Sequence, residues 1–418
     1  MRRAFLAMVL AGASPAAAES WKLPIAPKLT IPADEPAPKL PDYAIPDIRA
    51  GKLFIPRIQT SVATAKPGVE LIFDGTVMDQ DEISREQLGD QADKLEIRSA
   101  RLQLSGEVGL HRLLSYSMKI DYNGFDAAEE DDFSINEFNV SFAIPAWRTK
   151  ISMGQMREDF GYEAVASMSI MPQSERMMSP FISPVNTGVK VMHLLGPENR
   201  MLLTYGLFKD EWGEGKGHEA VSARFTGLAI DQPERHRYLH LGVAVRSSVI
   251  NGEMRYKGKP GINAAGNYVD TGDFPASDTR HVGFEMLYSQ GPFTLMAEHI
   301  SARVDAPDVG NPTFHGWYVL GSWVISGEAR SYDKTKGVAN RIVPLQRWGA
   351  PELVARYAHV ELNGGSINGG RFERVEAGVN WWATNHWKFG LLAGHVWLDR
   401  FGETGQTSSL LTRVQWTY

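Results

Sequence analysis

The 418-residue sequence contains no cysteine. Disulfides, thiolate metal clusters and thiol nucleophiles are therefore all excluded. Beyond its first residues it also lacks any apolar run near the roughly 20 residues that a membrane-crossing helix needs. The mean hydropathy is only −0.25. Enzyme motifs are absent as well: no G-x-S-x-G, no H-E-x-x-H and no Walker sequence occurs. Gly213–Gly217 is glycine-rich but lies between strand-like segments, not before a helix, so it is no phosphate cradle. The 11 histidines are scattered. His236 and His240 share a strand face, yet two imidazoles without further ligands make no metal site. No metal, cofactor or catalytic residue is predicted, and an enzyme is the least supported class.

What is present begins with an export pattern. Residues 1–18 carry Arg2 and Arg3, then an apolar run from Ala4 to Ala13, then Ala16, Ala17 and Ala18. This is the form of a secretory signal peptide cleaved after Ala18, and it is too short to anchor the chain. Residues 19–66 differ from the rest, with nine prolines between Pro24 and Pro67. Proline at that density removes amide donors and disfavours both helix and sheet, so an extended periplasmic segment is expected. It is a tether, a periplasmic plug or a contact to the cell wall.

From residue 67 to 418 the hydrophobic period is two. In residues 114–122, Leu114, Tyr116, Met118, Ile120 and Tyr122 alternate with Ser115, Ser117, Lys119 and Asp121. Successive strand residues point to opposite faces, so this is one apolar face and one wet face. Residues 237–245 and 281–289 repeat the pattern. About sixteen such segments can be traced by the period-two rule. They lie near 68–79, 95–108, 113–123, 133–144, 149–157, 187–195, 199–208, 218–230, 236–248, 280–290, 292–304, 314–327, 351–362, 371–382, 386–399 and 408–418. Half-polar strands that alternate in this way explain the low hydropathy if the chain is an all-β transmembrane barrel.

The connections alternate between short and long. Short ones fall at 109–112, 145–148, 196–198, 231–235, 291 and 383–385; long ones include 80–94, 158–186 and 249–279. Two unlike rims are expected of an outer-membrane barrel, with tight periplasmic turns and longer outer loops. The connection 328–350 breaks the rule, being long on the short side. The last residues, LLTRVQWTY, put Leu410, Val414, Trp416 and Tyr418 on one face. This is the form of a closing barrel strand.

Several stretches then resemble one family. LEIRSARLQLSGEVG with LLSYSMKIDYNG, ISMGQMREDFGYEAVAS with SERMMSPFISPVNTGVKV, LGSWVISGEARSYD, GAPELVARYAHVELN and VEAGVNWWATNHWKFGLLAGHV are similar to segments of the phosphate-selective porins O and P. The resemblance covers most of residues 68–418 and is weakest over 209–279. It implies a sixteen-stranded barrel, a homotrimer, a third long loop folded into the pore, and anion selectivity from basic residues along it. Arg157 and Arg176 match the family's basic positions at that loop and Lys190 sits just beyond, so these three are the expected constriction.

The charges can be assigned by parity. Arg101, Lys119, Lys150, Arg224, Arg246, Arg330 and Arg374 fall on wet faces and form the expected anion path, with Arg200, Lys388 and Arg413 sharing that parity. Charges lining a low-dielectric pore focus its field and set its selectivity. The same charges can instead pair with one another; Arg157–Asp159 and Glu175–Arg176 are the candidate pairs in the loop, which also carries Glu158 and Glu163. The expected function is passive diffusion of small hydrophilic solutes, anions such as phosphate foremost, across a bacterial outer membrane. The expected partners are outer-membrane lipid and lipopolysaccharide, such anions, and further copies of the chain, with no nucleic acid. The alternative is a plugged, non-conducting barrel with a structural or adhesive role.

Overall fold

The computed structural model describes residues 58–122, 133–210 and 218–418. Residues 1–57, the acidic run Glu129–Asp132 and the loop Gly213–Gly217 lie outside the described residues.

Sixteen antiparallel strands close into a barrel. They are β1 (Thr64–Gln80), β2 (Lys94–Val108), β3 (Leu114–Tyr122), β4 (Phe133–Ile144), β5 (Thr149–Arg157), β6 (Val185–Leu195), β7 (Met201–Asp210) and β8 (His218–Gln232). The circuit continues with β9 (Arg237–Met254), β10 (Phe274–Gln290), β11 (Phe293–Asp305), β12 (Thr313–Val324), β13 (Ala350–Gly364), β14 (Ile367–Trp382), β15 (Trp387–Arg400) and β16 (Glu403–Thr417). Each strand pairs with its sequence neighbours, and β1 closes the ring on β16 from Glu70–Thr417 to Gln80–Thr407. Closure removes the two free sheet edges, whose unpaired amides would be costly in a bilayer.

The barrel starts slightly earlier than the residue-67 boundary read from the sequence. Ile58–Gln59 pairs with the start of β1, and Pro67 lies inside β1 opposite Leu104. Pro67 is tolerated because β1 meets β16 only from Glu70 onward, so its missing N–H lies where the strand has one neighbour.

Period-two patterning becomes two unlike surfaces. Phe138, Val140 and Phe142 on β4, Val243 and Val245 on β9, and Leu391 on β15 are exposed on the outside. Their neighbours Ala244, Leu287 and Leu392 are buried inside. So continuous an exposed apolar belt needs a lipid solvent. No helix among the described residues is long and apolar enough to cross a membrane; the strands make the crossing. The short-turn rim carries stacked aromatics, with Phe293–Trp323 centroids 5.7 Å apart and Trp381–Phe389 5.4 Å apart. These rings form one girdle of the belt. Two of its turns share one form. Pro145–Trp147 and Pro233–Arg235 each make a 3-10 turn ending on a left-handed residue, Arg148 (φ 48°) and His236 (φ 47°). Proline pre-sets the first turn angle in both.

Three connections fold into the lumen. Residues 158–184 enter between β5 and β6, and 255–273 between β9 and β10. The exceptional connection 325–349 enters from the opposite, short-turn rim. It carries a small hairpin pairing Tyr332–Asp333 with Val338–Ala339. The segments meet inside: the Ala339 amide donates to Tyr162 Oη (3.3 Å), and Arg330 Nη1 donates to the Ile170 carbonyl (2.9 Å). Phe160, Met177, Met178, Phe181, Tyr256, Ile262 and Val338 from these segments pack against Met296, Leu320, Val360 and Phe372 of the wall. Burying each aromatic contributes roughly 1.5–3 kcal/mol. This core fills the β8–β16 half of the barrel and leaves an open cavity in the other half, against β1–β6.

Candidate functional site

The open half encloses a cavity of about 310 Å³. Its wall is made by Glu70, Arg98, Arg101, Lys119, Glu137, Lys150, Ser152 and Arg413 on the strands; its other side is Arg157, Asp159, Val165, Met168, Glu175 and Arg176 at the inward loop. Lys190 borders it from β6, and Thr335 and Lys336 close it from the short-turn side. All three predicted constriction residues, Arg157, Arg176 and Lys190, therefore line one space, with Arg101, Lys119 and Lys150 of the predicted anion path.

The loop is held across this space by its acids. Glu175 receives both arms of Arg98 (Nε–Oε1 2.7 Å, Nη2–Oε2 2.9 Å) and Nη2 of Arg413 (2.9 Å). Arg413 also forks onto Asp74 and donates from Nη1 to the Ser174 carbonyl (2.6 Å). Burial alone would raise the Glu175 carboxyl, but Arg98 and Arg413 hold it down at about 2. Asp159 accepts from Lys190 Nζ (2.7 Å), and Glu158 pairs with Arg246 and accepts from Asn186 Nδ2 (2.8 Å). Glu163 accepts from the Met178 amide (2.8 Å), and burial raises its carboxyl against the pull of Arg356. The loop's short helix, Tyr162–Val165, presents the amides of Tyr162 and Glu163 to Glu298 on β11 (2.8 and 3.2 Å).

The acidic loop is thus neutralised by cations of the wall, and the local pairs expected from the sequence do not form. Arg176 makes no ion pair with Glu175; it donates to the carbonyls of Glu163 (2.5 Å) and Ala166 (2.9 Å). Burial, with Arg98 and Arg101 nearby, lowers its pKa from the usual guanidinium value. Arg157 does not pair with Asp159, whose partner is Lys190. On the wall, Arg101 forks onto Asp121 (Nη2–Oδ2 2.9 Å) and Lys119 pairs with Glu137. Among the described residues, Lys150, Arg157 and Arg176 are the cations of the cavity that face no carboxylate within ion-pair distance. All three are half-buried.

Four residues of the predicted path need correction. Arg224, Arg246 and Arg374 face inward as parity required and Arg330 lies off the strand in the inward connection 325–349, but the folded-in segments cover all four and acids neutralise them. Arg224 binds Glu285 (2.8 Å) and the Gly337 carbonyl (2.8 Å); Arg246 binds Glu158 (3.1 Å). Arg330 binds Glu352 (2.6 Å) and Arg374 binds Glu376 (2.9 Å). They are 2% exposed or less and do not border the cavity. Conversely, parity missed Arg98. A β-bulge in β2 opposite Ile72 and Phe73 lets Arg98 and Arg101 both turn inward. Lys336 escaped because nothing in its local sequence shows that its turn folds up into the barrel.

A model of the family described as phosphate-selective porin O and P matches residues 73–418. Porin O of Pseudomonas aeruginosa is 23% identical over 343 residues, covering 71% of this chain and 75% of that protein. An uncharacterized protein of Caulobacter vibrioides is 22% identical over 313 residues, which is 70% of this chain; the match spans 61% of that protein's length. The barrel is similar to the anion-selective porin of Comamonas acidovorans (TM-score 0.54, 10% identity, 85% of this chain and 100% of that one). It is similar also to OmpT, an outer membrane protein of Vibrio cholerae (TM-score 0.52, 12% identity, 86% and 100%). At such identities the likeness to these structures is one of fold.

Proposed function

The chain belongs to the phosphate-selective porin O and P family and is an outer-membrane channel protein, and from that premise we propose that its pore prefers anions and holds a small oxyanion such as phosphate at Lys150, Arg157 and Arg176. One observation carries this reading. The wall and the inward loop largely neutralise each other, and the positive charge left over lies on these three residues, on the cavity lining. The Arg157 fork and the Lys150 ammonium suit a tetrahedral oxyanion, and Arg176, whose Nε and Nη2 hold the Glu163 and Ala166 carbonyls, adds its charge and its remaining N–H donors. Lys190 takes part through Asp159, keeping that carboxylate from cancelling Arg157. Low-dielectric walls strengthen the field of the three charges relative to open water. Arg101, paired to both Asp121 and Glu70, and Lys119, paired to Glu137, guide the approach without adding net positive charge.

We further infer a homotrimer, set in outer-membrane lipid and lipopolysaccharide, as the family and its trimeric fold relatives suggest. The signal-like segment 1–18 is proposed to be cleaved on export, leaving residues 19–57 in the periplasm. The filling of the β8–β16 half favours the rival reading of a plugged barrel; the polar, charged cavity against β1–β6 favours a conducting one.

Planar-bilayer recording of the purified protein decides between them. Stepwise conductance, reversal potentials that favour chloride over potassium, and block of chloride current by phosphate are expected. No steps would sink the channel's conduction, whereas a cation-favouring reversal potential would sink the anion preference alone.

A further inference from the structure

A second cluster lies on the outside of the barrel, at the long-loop end of its apolar belt. Here the outward positions of β11–β14 bring together His299, His315, His359, Glu361 and Glu373. Register explains the meeting. His315 stands opposite Glu361, His359 opposite both Trp317 and Glu373, and His299 opposite Trp317. Adjacent strands place such residues a few ångströms apart on one face.

We propose that His315, His359 and Glu361 bind a divalent transition ion of the imidazole-preferring kind, Zn²⁺, Cu²⁺ or Ni²⁺, on the lipid-side surface of the barrel. Their ligand atoms all lie within 4.8 Å of one another. Glu361 Oε2 is 3.8 Å from Nε2 of His315 and 3.8 Å from Nε2 of His359. A tetrahedral site with bonds near 2.0–2.1 Å needs its ligands about 3.3 Å apart, so small side-chain rotations close it. Two neutral imidazoles and a carboxylate match the preference of these ions over Ca²⁺ or Mg²⁺, which favour all-oxygen sets.

Three further observations point to a cation. Among the described residues, the charge-bearing partners of Glu361 within ion-pair range are the two histidines; Arg371, opposite it in register, makes its ion pair with Asp399 instead. The Nδ1 of His359 faces Glu373 (3.7 Å), and Glu373 is fixed by Tyr357 Oη (2.6 Å). A carboxylate on the far nitrogen orients a ligating imidazole and raises its basicity. Trp317 stacks on His359, and His299 stands 6.3 Å from His315 ring to ring on the same face, the next imidazole along the cluster. This site is separate from the pore, and its test does not depend on conduction.

The test uses the full-length, untagged protein in detergent, stripped by chelator and titrated with Cu²⁺ under electron paramagnetic resonance. One high-affinity Cu²⁺ per chain with hyperfine coupling to at least two imidazole nitrogens is expected, competed by a large excess of Zn²⁺ but not by the same excess of Mg²⁺. His315→Asn and His359→Asn should each remove nitrogen coupling, and Glu373→Gln should weaken binding by about tenfold. A Cu²⁺ signal unchanged in both histidine variants, or no signal in the wild type, overturns the proposal. Should either variant fail to fold, Zn²⁺ protection of His315 and His359 against diethyl pyrocarbonate in the wild type replaces it. Equal modification with and without Zn²⁺ overturns the proposal.

Discussion

Arg98 and Glu175 bind each other fork to fork across the lumen, Nε to Oε1 at 2.7 Å and Nη2 to Oε2 at 2.9 Å. One is a wall residue on β2 and the other lies on the inward loop, so this pair sets how far the loop reaches. Arg413 holds the same carboxylate from β16. The three residues form a clamp whose partial removal leaves a charge without its partner inside the barrel.

Glu175→Gln is expected to loosen the loop and to unmask Arg98 and Arg413. Breaking a buried pair from one side costs about 3 kcal/mol. Noisier and larger single-channel steps, with stronger selectivity for chloride, should appear in bilayer recordings. A quieter or more cation-selective channel would contradict the clamp.

Lys150→Gln, Arg157→Ala and Arg176→Ala should each weaken phosphate block of chloride current, by about tenfold for loss of one charge-assisted contact. Arg224→Gln is the control. Its guanidinium is buried against Glu285 and the Gly337 carbonyl, so it should lower thermal stability while leaving phosphate block unchanged. Concentration–block curves at fixed voltage separate the two groups.

The Glu175 carboxyl titrates at about 2 in the folded barrel against an ordinary value of 4.5. A depressed folded value means that its stabilising effect is fully present above pH 4.5 and is lost as pH falls towards 2. The protection factors of the amides in residues 167–178, taken relative to the intrinsic exchange rate at each pH, should therefore be high at pH 6 and fall between pH 4.5 and 2. The Glu175→Gln protein should show low protection factors at both ends, with little change between them.

Thr335 and Lys336 close the cavity from the short-turn rim. Replacing residues 332–339 by a short glycine-serine turn should raise conductance, because it removes the inward hairpin. It also removes Lys334 and Lys336 with a single acid, Asp333, while Arg224 stays paired with Glu285, so anion selectivity should fall rather than rise. Unchanged conductance would show that the narrow point lies wholly at the 158–184 loop.

Much of the wall was legible because strand parity is a local property. Lys119, Lys150, Arg224, Arg246 and Arg374 face inward as period two required. Arg98 shows the limit of that rule, since a single bulge reverses parity and no composition signal marks it. The odd length of the 328–350 connection was visible in the sequence, but its entry into the lumen was not. The apolar residues that drive it inward, such as Val338 and Ile342, are too few to form a pattern.

The sequence by itself determined the barrel. Alternation with period two puts lipid on one side and water on the other, and that choice is made strand by strand. Which inward charges meet water was decided only by the tertiary structure. Glu175 finds Arg98 across 77 residues and Arg413 across 238, and these long-range pairs cancel the loop's acids. Electrostatic neutralisation depends on distance in space and on local dielectric, neither of which is written in neighbouring residues. The positive remainder at Lys150, Arg157 and Arg176 is therefore a property of the folded barrel, not of its composition.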